Sequence, residues 1–263
     1  MPAAPPPTDS NELRGVYEAQ YSAEGDDARR YGAWRALCAA NKADHVVELN
    51  EHLPGPPRTV AEVGCGDGVL LAELGRRGVG ESRDGFDISE RAVAYAASRP
   101  EVDTARRFDG ATLPVADAAY DLGILSHVLE HVPDPLPLLR DTARACRAVV
   151  VEVPLEDNLS ASRPSAQAGR EAIGHLHRFS RADIAVLAAG AGLRIEADLA
   201  DPLPRAIHSF FAETPTGTAK AHAKAIARRA LFTAAPRRAE RLFTLHYAAL
   251  CLPLEPREGS LGS

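Results

Sequence analysis

The sequence predicts an α/β protein in which helices cover both faces of a mainly parallel sheet. Short β-branched segments alternate with amphipathic helical segments through most of the 263 residues. One strand ends at Val63 and leads through three alternate glycines directly into a helical pattern. A second segment, 148–153, is apolar apart from one glutamate, which is typical of a strand buried on both faces.

Capping residues mark where several helices begin. Ser89 and Asp134 are predicted N-caps, Pro135 suits a first turn, and Ser180 with Asp183 forms a capping-box pattern. Hydrophobic periodicity then predicts helices over 31–53, 69–78, 89–97, 134–144, 180–190 (or 192) and 218–241. It also predicts strands over 58–63, up to 87, and over 105–108, 120–125, 148–153 and 193–199, with 242–252 a last strand or a closing helix.

The chain is predicted to hold a single domain over 10–254. Residues 1–9 are proline-rich and 255–263 are small and polar, so both are expected to be disordered tails. Residues 155–178 are rich in Ser, Gly, Ala and charge, which is typical of a lid loop over a site.

Composition limits the function classes. The formal net charge of −6 argues against a nucleic-acid partner, and the basic face of 218–241 is more simply a solvated helix surface. No apolar run approaches the roughly 20 residues of a membrane span, so no membrane partner is expected. Four scattered cysteines without a Cys-x-x-Cys pair favour a cytoplasmic location.

The glycine run after the first strand indicates a ligand site. Gly64, Gly66 and Gly68 would let a ligand approach the main chain closely, and Asp87 ends the next strand as an acceptor for two ribose hydroxyls. A nicotinamide enzyme would prefer Gly-x-Gly-x-x-Gly at this turn, whereas this chain has Gly-x-Gly-x-Gly. The two features together predict a pocket for a ribose-bearing cofactor.

Four motifs occur in an order that resembles one enzyme family. They are Val-Ala-Glu-Val-Gly-Cys-Gly-Asp-Gly at 60–68, Phe-Asp-Ile-Ser at 86–89, Phe-Asp-Gly at 108–110, and the segment from Tyr120 to Val132 with its Leu-Glu-His-Val end. The chain over 58–199 resembles the class I S-adenosylmethionine-dependent methyltransferases, in particular the small-molecule type 11 (UbiE-like) branch. The resemblance implies a Rossmann-like, doubly wound seven-stranded sheet with an antiparallel last strand at 242–252, preceded by a substrate-side insertion at 202–241.

The resemblance also implies that S-adenosyl-L-methionine is the cofactor and which residues bind it. The glycine loop would pass under the amino-acid end of the cofactor, Asp87 would hold the ribose, and Asp109 would face the adenine. The cofactor-binding residues expected on this basis are Glu62, Gly64, Cys65, Gly66, Asp87, Ile88, Asp109, Gly110 and Ser126.

Two histidines are the candidate catalytic residues. His127 ends the fourth strand, where open α/β sheets bind ligands, and His175 matches a position that lies under the lid in the resembling enzymes. A hydroxyl acceptor needs a base to remove its proton, and a histidine suits that task, so the histidines favour O-methylation. Glu130 and His131 are either site residues or residues that stabilise the loop, and His177 is a weaker candidate for contact with the substrate.

The expected substrate is a small molecule such as a sugar or another natural-product precursor, bound by a monomer or a homodimer. Carbon or nitrogen methylation, and a catalytically silent cofactor-binding domain, remain the alternatives. Glu156, Asp157 and Asn158 lie near where metal-dependent members of the superfamily place their ligands, so Mg²⁺ is a second candidate cofactor. The metal ligands stay unknown, because His127 stands where that pattern has an acid.

Overall fold

Seven strands form one sheet in the computed structural model, which describes residues 10–22 and 25–254. The strands are β1 (Thr59–Val63), β2 (Ser82–Asp87), β3 (Thr104–Arg107), β4 (Tyr120–Ser126), β5 (Cys146–Leu155), β6 (Leu193–Asp201) and β7 (Leu245–Pro253). Their order is β3-β2-β1-β4-β5-β7-β6, and β7 is antiparallel to both of its neighbours. The predicted seven-stranded sheet with an antiparallel last strand is confirmed, whereas the predicted disordered tails lie outside the described residues.

Helices pack on both faces of the sheet. They are α1 (Ser10–Ser22), α2 (Asp26–Asn50), α3 (Val69–Arg76), α4 (Glu90–Ala97), α5 (Pro135–Ala145), α6 (Pro164–Ala172), α7 (Arg181–Gly190), α8 (Arg205–Ser209), α9 (Pro215–Ala234) and α10 (Pro236–Leu242). The predicted N-caps are confirmed, because Ser89 Oγ accepts the Ala92 amide and Asp134 Oδ1 accepts the Leu136 amide. None of the helices in the described part of the chain combines the length and apolarity needed to cross a membrane.

The side chains of β5 alternate between the two faces of the sheet and pack into a separate apolar core on each face. Val149, Val151 and Val153 pack with α5 and α7, whereas Ala148 and Val150 pack with α2 and α3. All five side chains are buried, so this strand contributes apolar area to both cores. This explains why its sequence over 148–153 is apolar at every position except Glu152 and does not alternate with polar residues.

Two helical predictions near the N-terminus differ from the structure. The helix predicted over 31–53 begins at Asp26 and ends at Asn50, and α1 precedes it without having been predicted. Gly25, with φ 97°, lies in a conformation that favours glycine and immediately precedes α2. The apolar residues of α1 are few, which explains why periodicity gave no signal there.

The predicted lid loop over 155–178 is corrected in part, because it contains α6. Pro164 occupies the first turn of this helix, where its missing amide is not needed, and alanines follow. The helical segment predicted over 218–241 is also two helices, since Pro236 separates α9 from α10. The remaining predicted boundaries agree with the structure to within a few residues.

We expect the Ser180→Ala substitution to lower the free energy of unfolding by about 1 kcal/mol. Ser180 and Asp183 form the predicted capping box at the start of α7, with each side chain bonded to the other residue's backbone amide. Urea denaturation followed by circular dichroism measures the change. The exposed Ser165→Ala in α6 serves as the control and should shift stability by less than about 0.5 kcal/mol; equal effects of the two substitutions would contradict a capping role for Ser180.

Candidate active site

A cavity of about 2060 Å³ lies at the edge of the sheet where the parallel strands β1, β2, β4 and β5 end. Ligand pockets in proteins typically measure about 300–1,000 Å³, so the cavity has room for two molecules side by side. Its walls are contributed by the loops after these strands, by α1 and α2, and by residues in or near α6 and α8.

The glycine turn between β1 and α3 forms part of the wall. Gly64 and Gly66 have φ of 76° and 54°, a region that disfavours residues with a side chain. A Cβ added at Gly66 would collide with the Tyr21 hydroxyl, and one at Gly64 would meet the methyl groups of Val128. Tyr21 and Val128 therefore pack directly against this turn, and Gly64, Cys65, Gly66 and Asp67 line the cavity.

Asp87 joins the end of β2 to this turn. Its carboxylate accepts hydrogen bonds from the Gly66 amide at 2.8 Å and from the Ser89 amide at 2.9 Å. Burial raises the pKa of Asp87, and these backbone hydrogen bonds oppose the rise. The side chain is only 7% exposed and lines the cavity, which leaves its remaining lone pairs for a ligand.

Glu62 lies beneath the same turn with one oxygen that has no partner. The side chain is 4% exposed, and Oε2 makes no hydrogen bond among the described residues. Burial raises its pKa to about 8, although Lys42 nearby opposes the rise. A buried acceptor without a partner is costly in a folded protein, so Glu62 indicates a place for a hydrogen-bond donor from a ligand.

The other residues predicted to bind the cofactor divide into two groups. Cys65, Ile88, Gly110 and Ser126 line the cavity, and that they bind the cofactor stays a prediction. Asp109 is not among the lining residues, because its exposed carboxylate accepts hydrogen bonds from the Ala111 and Thr112 amides. Those hydrogen bonds lower the pKa of Asp109.

His127 lies at the tip of β4 in a left-handed conformation, with φ 57°. Its Nδ1 is 3.0 Å from Oε1 of Glu130, and its Nε2 is 3.2 Å from Nδ1 of His246. Burial holds the pKa of His127 well below its ordinary value, and Lys42 and His246 add to the effect. His127 also lines the cavity.

His175 reaches the cavity from the segment after α6. Its Nδ1 lies 2.8 Å from Oε2 of Glu156, and its ring packs edge-on against His131 at 4.8 Å between centroids. His131 bonds the carbonyl of Gly174 through Nδ1, and burial lowers the pKa of His131 to about 4. His177 instead bonds the Val132 carbonyl and does not line the cavity.

A buried carboxylate that sequence reasoning missed connects these elements. Glu152 on β5 accepts the Ser126 hydroxyl at 2.9 Å and lies 3.0 Å from His45 Nδ1 on α2. Burial alone would raise its pKa, but the nearby imidazoles of His246 and His45 outweigh burial and hold the pKa well below the ordinary range. The single polar residue inside an apolar strand, Val-Val-Val-Glu-Val, was the signal that could have identified Glu152.

Tyr17 and Tyr21 of α1 were also missed. Both line the cavity, and Tyr17 packs edge-on against His131 at 6.0 Å between centroids. Their i, i+4 spacing on a helix was the only signal in the sequence. The predicted insertion contributes Leu203, Ile207 and Phe211, which give the cavity an apolar rim.

The segment proposed for Mg²⁺ does not present its oxygens as one set. Glu156 pairs with His175, and Asp157 is exposed beside Arg178. Asn158 Oδ1 accepts from Ser160 and from the Ala161 amide. Among the described residues, two groups place three potential metal-ligating atoms close together. They are His127–Glu152–His246 and Glu130–His131–His175, and neither contains Glu156 or Asp157.

The chain matches known methyltransferases over its central part. The model of the methyltransferase domain family matches residues 28–198. An uncharacterized methyltransferase of Mycobacterium sp. (strain JLS) is 38% identical over 127 residues, which are 47% of this chain and 48% of the relative. A ubiquinone biosynthesis O-methyltransferase of Acinetobacter baylyi is 29% identical over 109 residues, covering 39% of this chain and 43% of the relative.

A solved structure shares the fold. The geranyl diphosphate C-methyltransferase of Streptomyces coelicolor superposes with a TM-score of 0.59 at 17% identity, covering 81% of this chain and 77% of that chain. At this identity the likeness concerns the fold alone. The chain spans about half the length of the curated relatives it matches. Because the family model covers more than half of the chain, the protein belongs to the methyltransferase domain family.

Proposed function

We propose that the protein is an S-adenosylmethionine-dependent methyltransferase that acts on a hydroxyl group of a small molecule. The observation that carries the choice of acceptor is the His175–Glu156 pair, which lies in the same cavity as the glycine turn and Asp87. A histidine held by a carboxylate is the arrangement that removes a proton from a weakly acidic hydroxyl. The proteins that this chain resembles include both O- and C-methyltransferases, so the site and not the family supports oxygen as the acceptor.

The residues of the cavity fit the proposed cofactor. Gly64 and Gly66 of the glycine turn line the cavity, and Asp87 can accept hydrogen bonds from two ribose hydroxyls. The unpartnered oxygen of Glu62 suits the ammonium group of the amino-acid part. When bound, S-adenosylmethionine supplies an electrophilic methyl group on a positively charged sulfur.

His175 is better suited than His127 to act as the base. When the Nδ1–H of His175 donates to Glu156, the lone pair on Nε2 is free to accept a proton from the acceptor hydroxyl. His127, in contrast, has a strongly lowered pKa and its two ring nitrogens lie beside Glu130 and His246. We therefore assign His127 to holding the floor of the cavity and His175 to proton removal.

The shape of the cavity supports a small-molecule acceptor. Ile173 beside α6 and Phe211 beside α8 contribute apolar walls to it. An acceptor with an apolar body and a reactive hydroxyl, such as a natural-product precursor, fits such walls better than a macromolecular surface does. The 155–178 and 202–241 segments would then select the substrate.

We expect Asp87→Asn to weaken binding of S-adenosylhomocysteine by about 10- to 100-fold, because charge-assisted hydrogen bonds to a ligand contribute about 1.5–3 kcal/mol. Isothermal titration calorimetry measures the change. Asp103→Asn is the matched control, since Asp103 lies outside the cavity and bonds only the backbone and side chain of Arg83. Equal affinity of the Asp87 variant and the wild type would contradict the ribose assignment.

Glu62 should make the ligand-free protein less stable as the pH rises. Its pKa of about 8 in the folded protein exceeds the ordinary value, so the folded state holds a proton that the unfolded state loses. The resulting stabilisation is present below about pH 4.5 and is lost as the pH rises through 8. Urea denaturation at pH 5, 6, 7 and 8 measures the free energy of unfolding. The value for Glu62→Gln should rise relative to that of the wild type as the pH increases, and a difference that does not change with pH would contradict the assignment.

A panel of acceptors tests the proposed reaction. The wild type should transfer a labelled methyl group to hydroxyl-bearing sugars, phenols or polyketide-like alcohols, identified as O-methyl by NMR. His175→Gln should lower kcat/KM for that acceptor by about 10²- to 10⁴-fold and leave S-adenosylhomocysteine affinity unchanged. The exposed His52→Gln is the control. N-methyl or C-methyl products, or full activity of His175→Gln, would contradict the proposal.

A further inference from the structure

Three side chains converge on one point at the floor of the cavity. They are His127 at the end of β4, Glu152 on β5 and His246 at the start of β7. The antiparallel direction of β7 places its first residues at the edge where the parallel strands end, with His246 opposite Pro154 in register. The sheet topology thus brings together residues that are 119 positions apart in the chain.

The distances among the three ligand atoms suit a common metal ion. His127 Nε2 lies 3.2 Å from His246 Nδ1 and 3.9 Å from Glu152 Oε1, and the latter two atoms are 3.7 Å apart. Two ligands at about 2.1 Å from one ion in tetrahedral geometry are about 3.4 Å apart. An ion could therefore occupy the centre of the triangle with only small side-chain movements.

The surroundings of His127 resemble those of a metal-binding histidine. A ligating imidazole usually directs its other ring nitrogen at a carboxylate, which fixes the ring and its tautomer. His127 Nδ1 lies 3.0 Å from Glu130 Oε1. Glu130 is fully buried, and neither of its oxygens has a well-aligned hydrogen bond among the described residues. A fully buried carboxylate that lies 3.0 Å from the ring of His127 and makes no aligned hydrogen bond is a second observation that points to a bound cation.

The carboxylate of Glu152 is also held in place by neighbouring side chains. Its Oε2 accepts the Ser126 hydroxyl, and its Oε1 lies 3.0 Å from His45 Nδ1. The carboxylate is 1% exposed, so its orientation is set by these contacts. On the opposite side, His127 and His246 both line the cavity, which leaves an open coordination position toward the substrate space.

We propose that His127, Glu152 and His246 bind a divalent transition-metal ion, with Zn²⁺ the ion that best suits two imidazoles and one carboxylate. Two histidines and a carboxylate are a ligand set of zinc sites that keep an open position for water or substrate. Mg²⁺ prefers oxygen ligands and is not expected here. The role of this ion rests on the proposed function. Its open position would bind the oxygen of the methyl acceptor and lower the pKa of the acceptor hydroxyl.

Metal titration of the full chain tests the site. After dialysis against EDTA, the protein is titrated with Zn²⁺, Co²⁺ and Mg²⁺ in separate calorimetric experiments, and Co²⁺ binding is also followed by visible absorption. We expect one Zn²⁺ per chain, visible Co²⁺ bands and no Mg²⁺ binding at the same site. His246→Ala should weaken Zn²⁺ binding at least 100-fold, Glu130→Gln by about 10- to 100-fold, and His222→Gln in α9 should leave it unchanged.

Several outcomes would overturn the site. They are the absence of stoichiometric Zn²⁺ binding, the absence of Co²⁺ bands, and equal Zn²⁺ affinity of His246→Ala and the wild type. The last of these outcomes would place the ion at His131 and His175 instead. If His246→Ala fails to fold, the Co²⁺ spectra of the wild type and of Glu130→Gln carry the test. Titration with S-adenosylhomocysteine of the metal-free and the Zn²⁺-loaded protein separates a failure of this site from a failure of the proposed function.

Discussion

The buried carboxylate of Glu152 is the interaction on which the floor of the cavity depends. It contacts Ser126 and is approached by three histidines, from α2, β4 and β7, so one side chain connects four elements that are distant in the sequence. A buried carboxylate is strongly unfavourable unless it is paired and hydrogen-bonded. The neighbouring histidines and the serine hydroxyl satisfy that requirement, and in doing so they fix the tip of β4 where His127 turns toward the cavity.

The opposite wall follows from a different constraint, the absence of side chains at the glycine turn. Gly64 and Gly66 adopt backbone angles that glycine tolerates, and Asp87 bonds the Gly66 amide across the cavity edge. Tyr21 from α1 packs over the same turn. This tight glycine turn beside the unpartnered oxygen of Glu62 suits a cofactor, while the histidine side of the cavity suits an acceptor and its proton.

Much of this arrangement could be predicted from local patterns. The glycine turn, Asp87, the caps at Ser89 and Ser180, and the antiparallel last strand each leave a signal within a few residues or in the order of motifs. The cluster around Glu152 could not be predicted, because His246 approaches it only through the antiparallel pairing of β7 with β5. For Asp109 the sequence motif was recognised, but the sequence did not predict its contacts. In the fold, two backbone amides donate hydrogen bonds to its carboxylate.

A crystal structure with bound S-adenosylhomocysteine tests the central claim, that the glycine-turn side binds the methyl donor and the histidine side receives the acceptor. We expect the ribose hydroxyls to lie within hydrogen-bond distance of Asp87, the amino group to contact Glu62, and the sulfur to face the part of the cavity that contains His175. A ligand bound elsewhere, or bound here with its sulfur directed away from the histidines, would contradict this assignment.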